Sequence, residues 1–79
     1  MNFIDYIEDL YQSINIHRAI ILTNKNLYNL KKDLVNNNHS PIIINNNSYI
    51  NYNYRLFLIN DINLLDKFKK NSYNIIIIY

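Results

Sequence analysis

Two histidines and four serines are the side chains in this sequence that are suited to nucleophilic or metal-assisted catalysis. His39 directly precedes Ser40, His17 lies far from both in the chain, and there is no cysteine. A serine nucleophile takes its base from elsewhere in the fold and commonly sits in a glycine-flanked turn, which this chain lacks. A metal site would need further ligands at unknown positions. We therefore expect ordinary loop residues, with no catalytic residue and no metal ligand.

The absence of glycine bears on nucleotide binding. Phosphate-binding loops need glycine because backbone N–H groups must approach the anion closely. Asp61 and Asp66 lie in one predicted helix at a spacing that points them to different faces, which disfavours paired-carboxylate catalysis. The sequence therefore predicts no bound cofactor and a protein that is not an enzyme.

Lysine and tyrosine side chains form the one pattern suited to a nucleic-acid ligand. Single-stranded RNA is bound by cationic grooves and by aromatic rings on which bases stack. The net charge of +2 is small, so a solvated helix end beside a tyrosine-rich loop is the competing interpretation. The candidate RNA-binding residues of this pattern are Lys67, Lys69, Lys70, Tyr52 and Tyr54.

Three amphipathic segments predict helices. Residues 2–14 carry apolar side chains at helical spacing. Asn2, at the start of this segment, can cap the helix. A second helix is expected over about 25–35 with Asn24 as its N-cap, and a third begins after Asn60 or Asp61 and includes the three lysines in its last turn. The side chains expected to face the core from the second and third helices are Leu27, Leu30, Leu34, Leu64, Leu65 and Phe68.

Four short runs that are mainly apolar, without alternation of polar and apolar residues, predict strands. They are the run that stops at Thr23, then 42–44, 55–59 and 74–79. Such strands, bounded by helices, favour a mainly parallel sheet covered on both faces. Residues 48–54 fit either a ragged edge strand or an extended crossing, and a hairpin is the competing arrangement there. The fold class is α/β: one small domain, residues 1–79, with a mostly parallel four-stranded sheet and about three helices.

The composition of the chain and the length of its apolar runs bear on the cellular compartment of the protein. The 17 asparagines and 16 isoleucines are typical of AT-rich codons, so we interpret much of the asparagine as genome drift. The N-terminus is acidic rather than basic, which disfavours a secretory signal. The longest purely apolar run is far shorter than the roughly 20 residues of a membrane helix. We therefore expect a cytoplasmic protein with no membrane partner.

Three segments resemble, in chain order, parts of the second RecA-like lobe of DEAD-box RNA helicases, most of all the translation-initiation helicases. Residues 9–25 resemble the Leu-Tyr helix and the strand with its polar tail that open that lobe. Residues 55–61 resemble the strand ending in Ser-Thr-Asp, and residues 74–79 resemble the strand closing in Ile-Ile-Asn-Tyr. The resemblance implies a partial RecA-like lobe, in which Thr23 and Asn24 match RNA-contacting positions.

The sequence also departs from that family. Asn45-Asn46-Asn47 stands where the family has His-Gly, and residues 48–54 replace the helix that follows. Residues 63–66 lack the Arg and Gly of the family's Ala-Arg-Gly segment, and the first lobe with its phosphate loop is missing. The resemblance therefore implies a truncated, degenerate remnant of the lobe without catalysis.

The resulting hypothesis is a non-catalytic interaction module that docks on a protein partner in RNA- or translation-related machinery, or a small subunit of an assembly. The alternative is a weak single-stranded RNA-binding protein that uses the Lys/Tyr surface. Residues 42–44 and 75–78 are either all core strands or include one exposed edge that takes up a partner. In the family, later elements cover the last strand, so we expect a homo-oligomer or a heteromeric complex through it. The candidate interface residues are Ile75, Ile76, Ile77, Ile78 and Tyr79, and the sequence leaves open which alternate pair faces outward.

Overall fold

A computed structural model describes residues 2–79 and shows an α/β fold with a four-stranded, all-parallel sheet and three helices. In chain order the elements are α1 Phe3–Ser13, β1 Ala19–Leu22, α2 Leu27–Asn36, β2 Pro41–Ile43, β3 Leu56–Ile59, a 3-10 helix Ile62–Lys67 and β4 Ile75–Ile78. The strand order is β2-β3-β1-β4. The predicted fold class is confirmed. The hairpin alternative is wrong because β2 and β3 pair in parallel.

The two faces of the sheet are covered by different kinds of structure. Side chains that alternate along each strand form two separate buried clusters. On the face that we call the helical face, Ile7 of α1 and Leu30 and Leu34 of α2 pack over Ile21 and Leu58. On the opposite face, which we call the loop face, the cluster contains Ile20, Ile44, Phe57, Ile59, Leu64 and Phe68.

Both α-helices begin at an asparagine cap. Asn2 Oδ1 accepts a hydrogen bond from the Asp5 N–H, as the sequence predicts. The cap of α2 is Asn26 rather than Asn24, because Asn26 Oδ1 accepts from Asn29 N–H and the helix begins at Leu27. The leucine stripe of α2 is buried as predicted, and Asn38 with φ 68° lies in the left-handed region just after the helix.

Residues 45–54 cross the loop face as an irregular connection between β2 and β3 with turns at 46–47 and 52–53, so residues 48–54 do not form the edge strand. The guanidinium of Arg18, which precedes β1, donates to the carbonyl of Tyr52 and to that of Ser72. These bonds attach the crossing and the approach to β4 to the amino end of the central strand. β2 and β3 pair in parallel with this irregular crossing, rather than a helix, between them.

The third helix is shorter than predicted. Asp61 caps it through a hydrogen bond from Asn63 N–H, which settles the choice between the two candidate caps. The 3-10 helix ends at Lys67, so the prediction that Lys69 and Lys70 lie in its last turn is wrong. They lie in the loop that leads to β4.

Candidate functional site

The outer edge of β4 is the candidate functional site. β4 pairs with β1 in parallel, with Leu22 opposite Ile78. The Tyr79 N–H donates to the Leu22 carbonyl at 2.9 Å. Backbone groups of successive residues in a strand point to opposite sides, so Ile77 and Tyr79 point toward β1 and Ile76 and Ile78 point away from it. Within residues 2–79, no strand pairs with that outer edge.

The other edge of the sheet is formed differently. β2 has three residues and begins at Pro41. The Ile44 N–H donates to the Leu58 carbonyl at 3.0 Å, which directs Ile42 and Ile44 toward β3 and leaves Pro41 and Ile43 outward. Proline has no N–H, so only Ile43 presents an outward donor on this edge. A short strand with an edge proline discourages pairing with another chain.

Side-chain burial along β4 resolves the alternation that the sequence leaves open. Ile75 and Ile77 pack on the helical-face cluster, and Ile77 is only 5% exposed. Ile76 and Ile78 therefore lie on the loop face, where Ile76 is half-buried and Ile78 is 79% exposed. Of the two pairs predicted as alternatives, Ile76 and Ile78 are thus the pair with accessible backbone groups and an accessible side chain.

Tyr79, the fifth candidate interface residue, is positioned by two other elements. Its ring stacks on that of Phe3 in α1, with centroids 3.7 Å apart and planes 6° apart. The Lys25 ammonium lies 4.9 Å from the centroid of the Tyr79 ring. Both contacts attach the carboxyl end of β4 to the rest of the domain.

The candidate RNA-binding residues are not one surface. Tyr52 and Lys69 are together: the Tyr52 hydroxyl accepts from the Lys69 N–H at 2.7 Å, and the Lys69 ammonium lies 5.5 Å from the ring centroid. The Arg18 guanidinium carbon lies 5.3 Å from the same centroid. This half-buried ring fastens the crossing to the amino end of the sheet, and Tyr54 also packs against the loop-face cluster.

The remaining candidates lie elsewhere. Thr23 follows the carboxyl end of β1, is 3% exposed, and its hydroxyl accepts from the Lys25 N–H at 3.1 Å. Asn24 is exposed beside it. The Lys67 ammonium donates to the Asn46 carbonyl at 2.9 Å, and Lys70 is exposed. Thr23 and Asn24 are therefore at the opposite end of β1 from the residues around Tyr52.

A pocket of about 460 Å³ lies at the amino ends of β2 and β3 and was missed by the sequence analysis. Its polar lining includes Tyr11, His39 and Arg55. Burial raises the pKa of Tyr11, and the positive charge of Arg55 partly opposes that rise. The His39 Nε2 lies 3.7 Å from a Glu8 carboxylate oxygen, too far for a hydrogen bond. These residues are widely separated in sequence, so no local pattern identifies the pocket.

Among residues 2–79, no group of three His, Asp or Glu side chains is placed to hold a metal ion. None of the helices in this range has the length and apolar character to cross a membrane.

The comparisons with known proteins found no match: no family model, no curated protein and no solved structure. The resemblance to the helicase lobe therefore stays a prediction.

Proposed function

We propose that this chain is a non-catalytic interaction module that docks on a protein partner through the outer edge of β4. The observation that carries the proposal is the outward direction of the N–H and C=O groups of Ile76 and Ile78. An available strand edge takes up an extended segment of another chain as an added strand. The exposed Ile78 side chain adds apolar contact at the same place.

The proposed setting comes from the sequence. The resemblance to the second lobe of DEAD-box helicases supports a place in RNA- or translation-related machinery in the cytoplasm, as a docking module or as a small subunit. The lack of glycine supports a protein that binds no nucleotide through a phosphate loop. The proposal accordingly assigns the chain no cofactor and no catalytic residue.

Weak binding of single-stranded RNA is the second candidate function. The feature that favours it is the pair of cationic side chains, Arg18 and Lys69, near the Tyr52 ring, with the exposed Lys70 next in the chain. Two observations weigh against it: Arg18 already donates to backbone carbonyls, and the Tyr52 ring is already in contact with Arg18 and Lys69. RNA affinity that falls steeply with salt would support this candidate.

Capture of partners from an extract of the source cells tests the docking proposal. The substitution Ile78→Pro removes one outward N–H and places a ring at the edge, while the bonds of β4 to β1 stay intact. We expect the affinity for a purified partner to fall about tenfold or more, because one hydrogen bond is lost and its acceptor is left unpaired.

Ile78→Val is the matched control, since it keeps the N–H and a β-branched apolar side chain. We expect Ile78→Val to bind as the parent does. A partner that binds Ile78→Pro as tightly as the parent would contradict docking at this edge. Circular dichroism of each variant verifies that the fold is retained.

A further inference from the structure

We propose that the segment taken up by β4 is the β4 strand of a second copy of this chain, paired antiparallel about a two-fold axis through Ile77. This inference rests on the proposed docking function and names its partner. The two sheets would join into one continuous sheet of eight strands.

The backbone directions select the register. Ile76 and Ile78 direct their N–H and C=O groups outward, whereas Ile77 directs them toward β1. In an antiparallel pair, opposed residues of the hydrogen-bonded kind exchange both of their bonds. A two-fold axis through Ile77 places Ile76 of each copy opposite Ile78 of the other copy. Both Ile76 and Ile78 of each copy are therefore hydrogen-bonded across the interface. An axis through Ile76 or Ile78 would pair only that residue with its own copy.

The charge distribution permits contact between identical surfaces. Like charges opposed across a strand pair are unfavourable, and a two-fold interface brings each residue near its own copy. Residues 71–79 contain no Lys, Arg, Asp or Glu. The cation near this strand is Lys25, over the Tyr79 ring. In the proposed register Tyr79 and its copy are four residues apart along the strands, about 14 Å, so the two Lys25 charges do not face each other.

The side-chain faces also match. On the loop face, the exposed Ile78 side chain would lie beside Ile76 of the second copy, at the close spacing of a cross-strand pair. On the helical face, Ile77 would lie beside its own copy at the axis. The short, proline-containing β2 edge offers one outward donor, so β4 is the edge on which two copies can form four hydrogen bonds.

Sedimentation or light scattering of the 79-residue chain over a dilution series tests whether the partner is a second copy of the chain. We expect a dimer that dissociates on dilution, the same behaviour for Ile78→Val, and a folded monomer for Ile78→Pro. A parent chain that stays monomeric throughout, or a dimer that survives Ile78→Pro, would overturn the inference.

Cross-linking tests the register, because the natural chain has no cysteine. Chains with Ile76→Cys and with Ile78→Cys are oxidised separately and as a mixture. Opposed residues are about 5.5 Å apart, within disulfide range, whereas each cysteine and its own copy are diagonal neighbours at about 7–8 Å. We expect disulfide-linked dimers in the mixture only. Equal cross-linking in the separate preparations, or none in a mixture that is dimeric, would overturn the proposed register.

The two proposals can fail separately. A monomeric parent chain whose capture of another protein is abolished by Ile78→Pro would leave docking at β4 in place and exclude the second copy as the partner. A monomer whose interactions are all insensitive to Ile78→Pro would exclude both.

Discussion

Asparagine residues have defined structural roles at the start of both α-helices and at the end of α2. Asn2 and Asn26 accept from N–H groups of the first turn, and Asn38 takes a left-handed conformation after α2. The high asparagine content of the chain is typical of AT-rich codons and is consistent with genome drift. At these three positions the residue type also meets a local requirement of the backbone.

The corrected cap of α2 gives a prediction at the residue scale. Asn26→Ala should lower the free energy of unfolding by about 1 kcal/mol, because the Asn29 N–H loses its acceptor. Asn24→Ala is the control: Asn24 is exposed and two positions before the cap, so the expected change is within about 0.5 kcal/mol. Urea unfolding measures both. Equal losses for the two variants would contradict the observed helix start.

Tyr11 gives a prediction about pH. Burial raises the pKa of the Tyr11 hydroxyl in the folded state above the value of about 10 in the unfolded chain. At pH values between these two pKa values, the folded state binds the phenolic proton more tightly than the unfolded state does. Its contribution to stability is fully present below pH 10 and is lost as the pH rises through the folded pKa. Tyr11→Phe should therefore reduce the decline of the unfolding free energy above pH 10.

Tyr49→Phe is the control for that measurement, since Tyr49 is 95% exposed. The control should decline with pH as the parent does. An identical alkaline decline for the parent and Tyr11→Phe would show that the Tyr11 hydroxyl does not titrate abnormally.

At the scale of elements, α2 is held to the sheet by one apolar stripe. Leu27, Leu30 and Leu34 are its buried residues, and they lie over β-strand residues of the helical face. Packing of an apolar helix face against a sheet contributes more to the stability of a helix than the intrinsic helix propensity of its residues does. The stripe was predictable because its spacing of three and four matches the helical period.

Removing the central leucine of that stripe tests its contribution. Leu30→Ala should cost about 2–5 kcal/mol through lost burial and the cavity left behind, a large part of the roughly 5–15 kcal/mol typical of a folded domain. Tyr28→Ala, on the exposed side of the same helix at 76% exposure, should cost much less. Thermal unfolding compares them. An unchanged melting temperature for Leu30→Ala would mean that α2 does not pack as described.

At the scale of the whole molecule, the two faces are covered unequally. Two α-helices cover the helical face, whereas a loop crossing and a 3-10 helix cover the loop face. The exposed Ile78 lies on this less completely covered side, near the edge of β4. A chain of this size buries a modest share of its surface, so additional burial between two copies would add usefully to stability.

Dimerisation predicts that stability depends on concentration. Binding that is specific to the folded state raises the melting temperature as the protein concentration rises. We expect this rise for the parent chain and for Ile78→Val, and a constant melting temperature for Ile78→Pro. Scanning calorimetry over a concentration series measures it. A concentration-independent melting temperature for the parent would contradict a dimer that dissociates on unfolding.

Features that depend on neighbours in the chain followed from the sequence alone: the α/β class, the Asn2 cap and the leucine stripe of α2. The tertiary structure decided the strand order, the pocket beside Tyr11 and the outward direction of Ile76 and Ile78. The physical reason is clearest in β4. Four successive isoleucines have no alternation of polar and apolar residues, so only pairing with β1 and packing against both faces set the register.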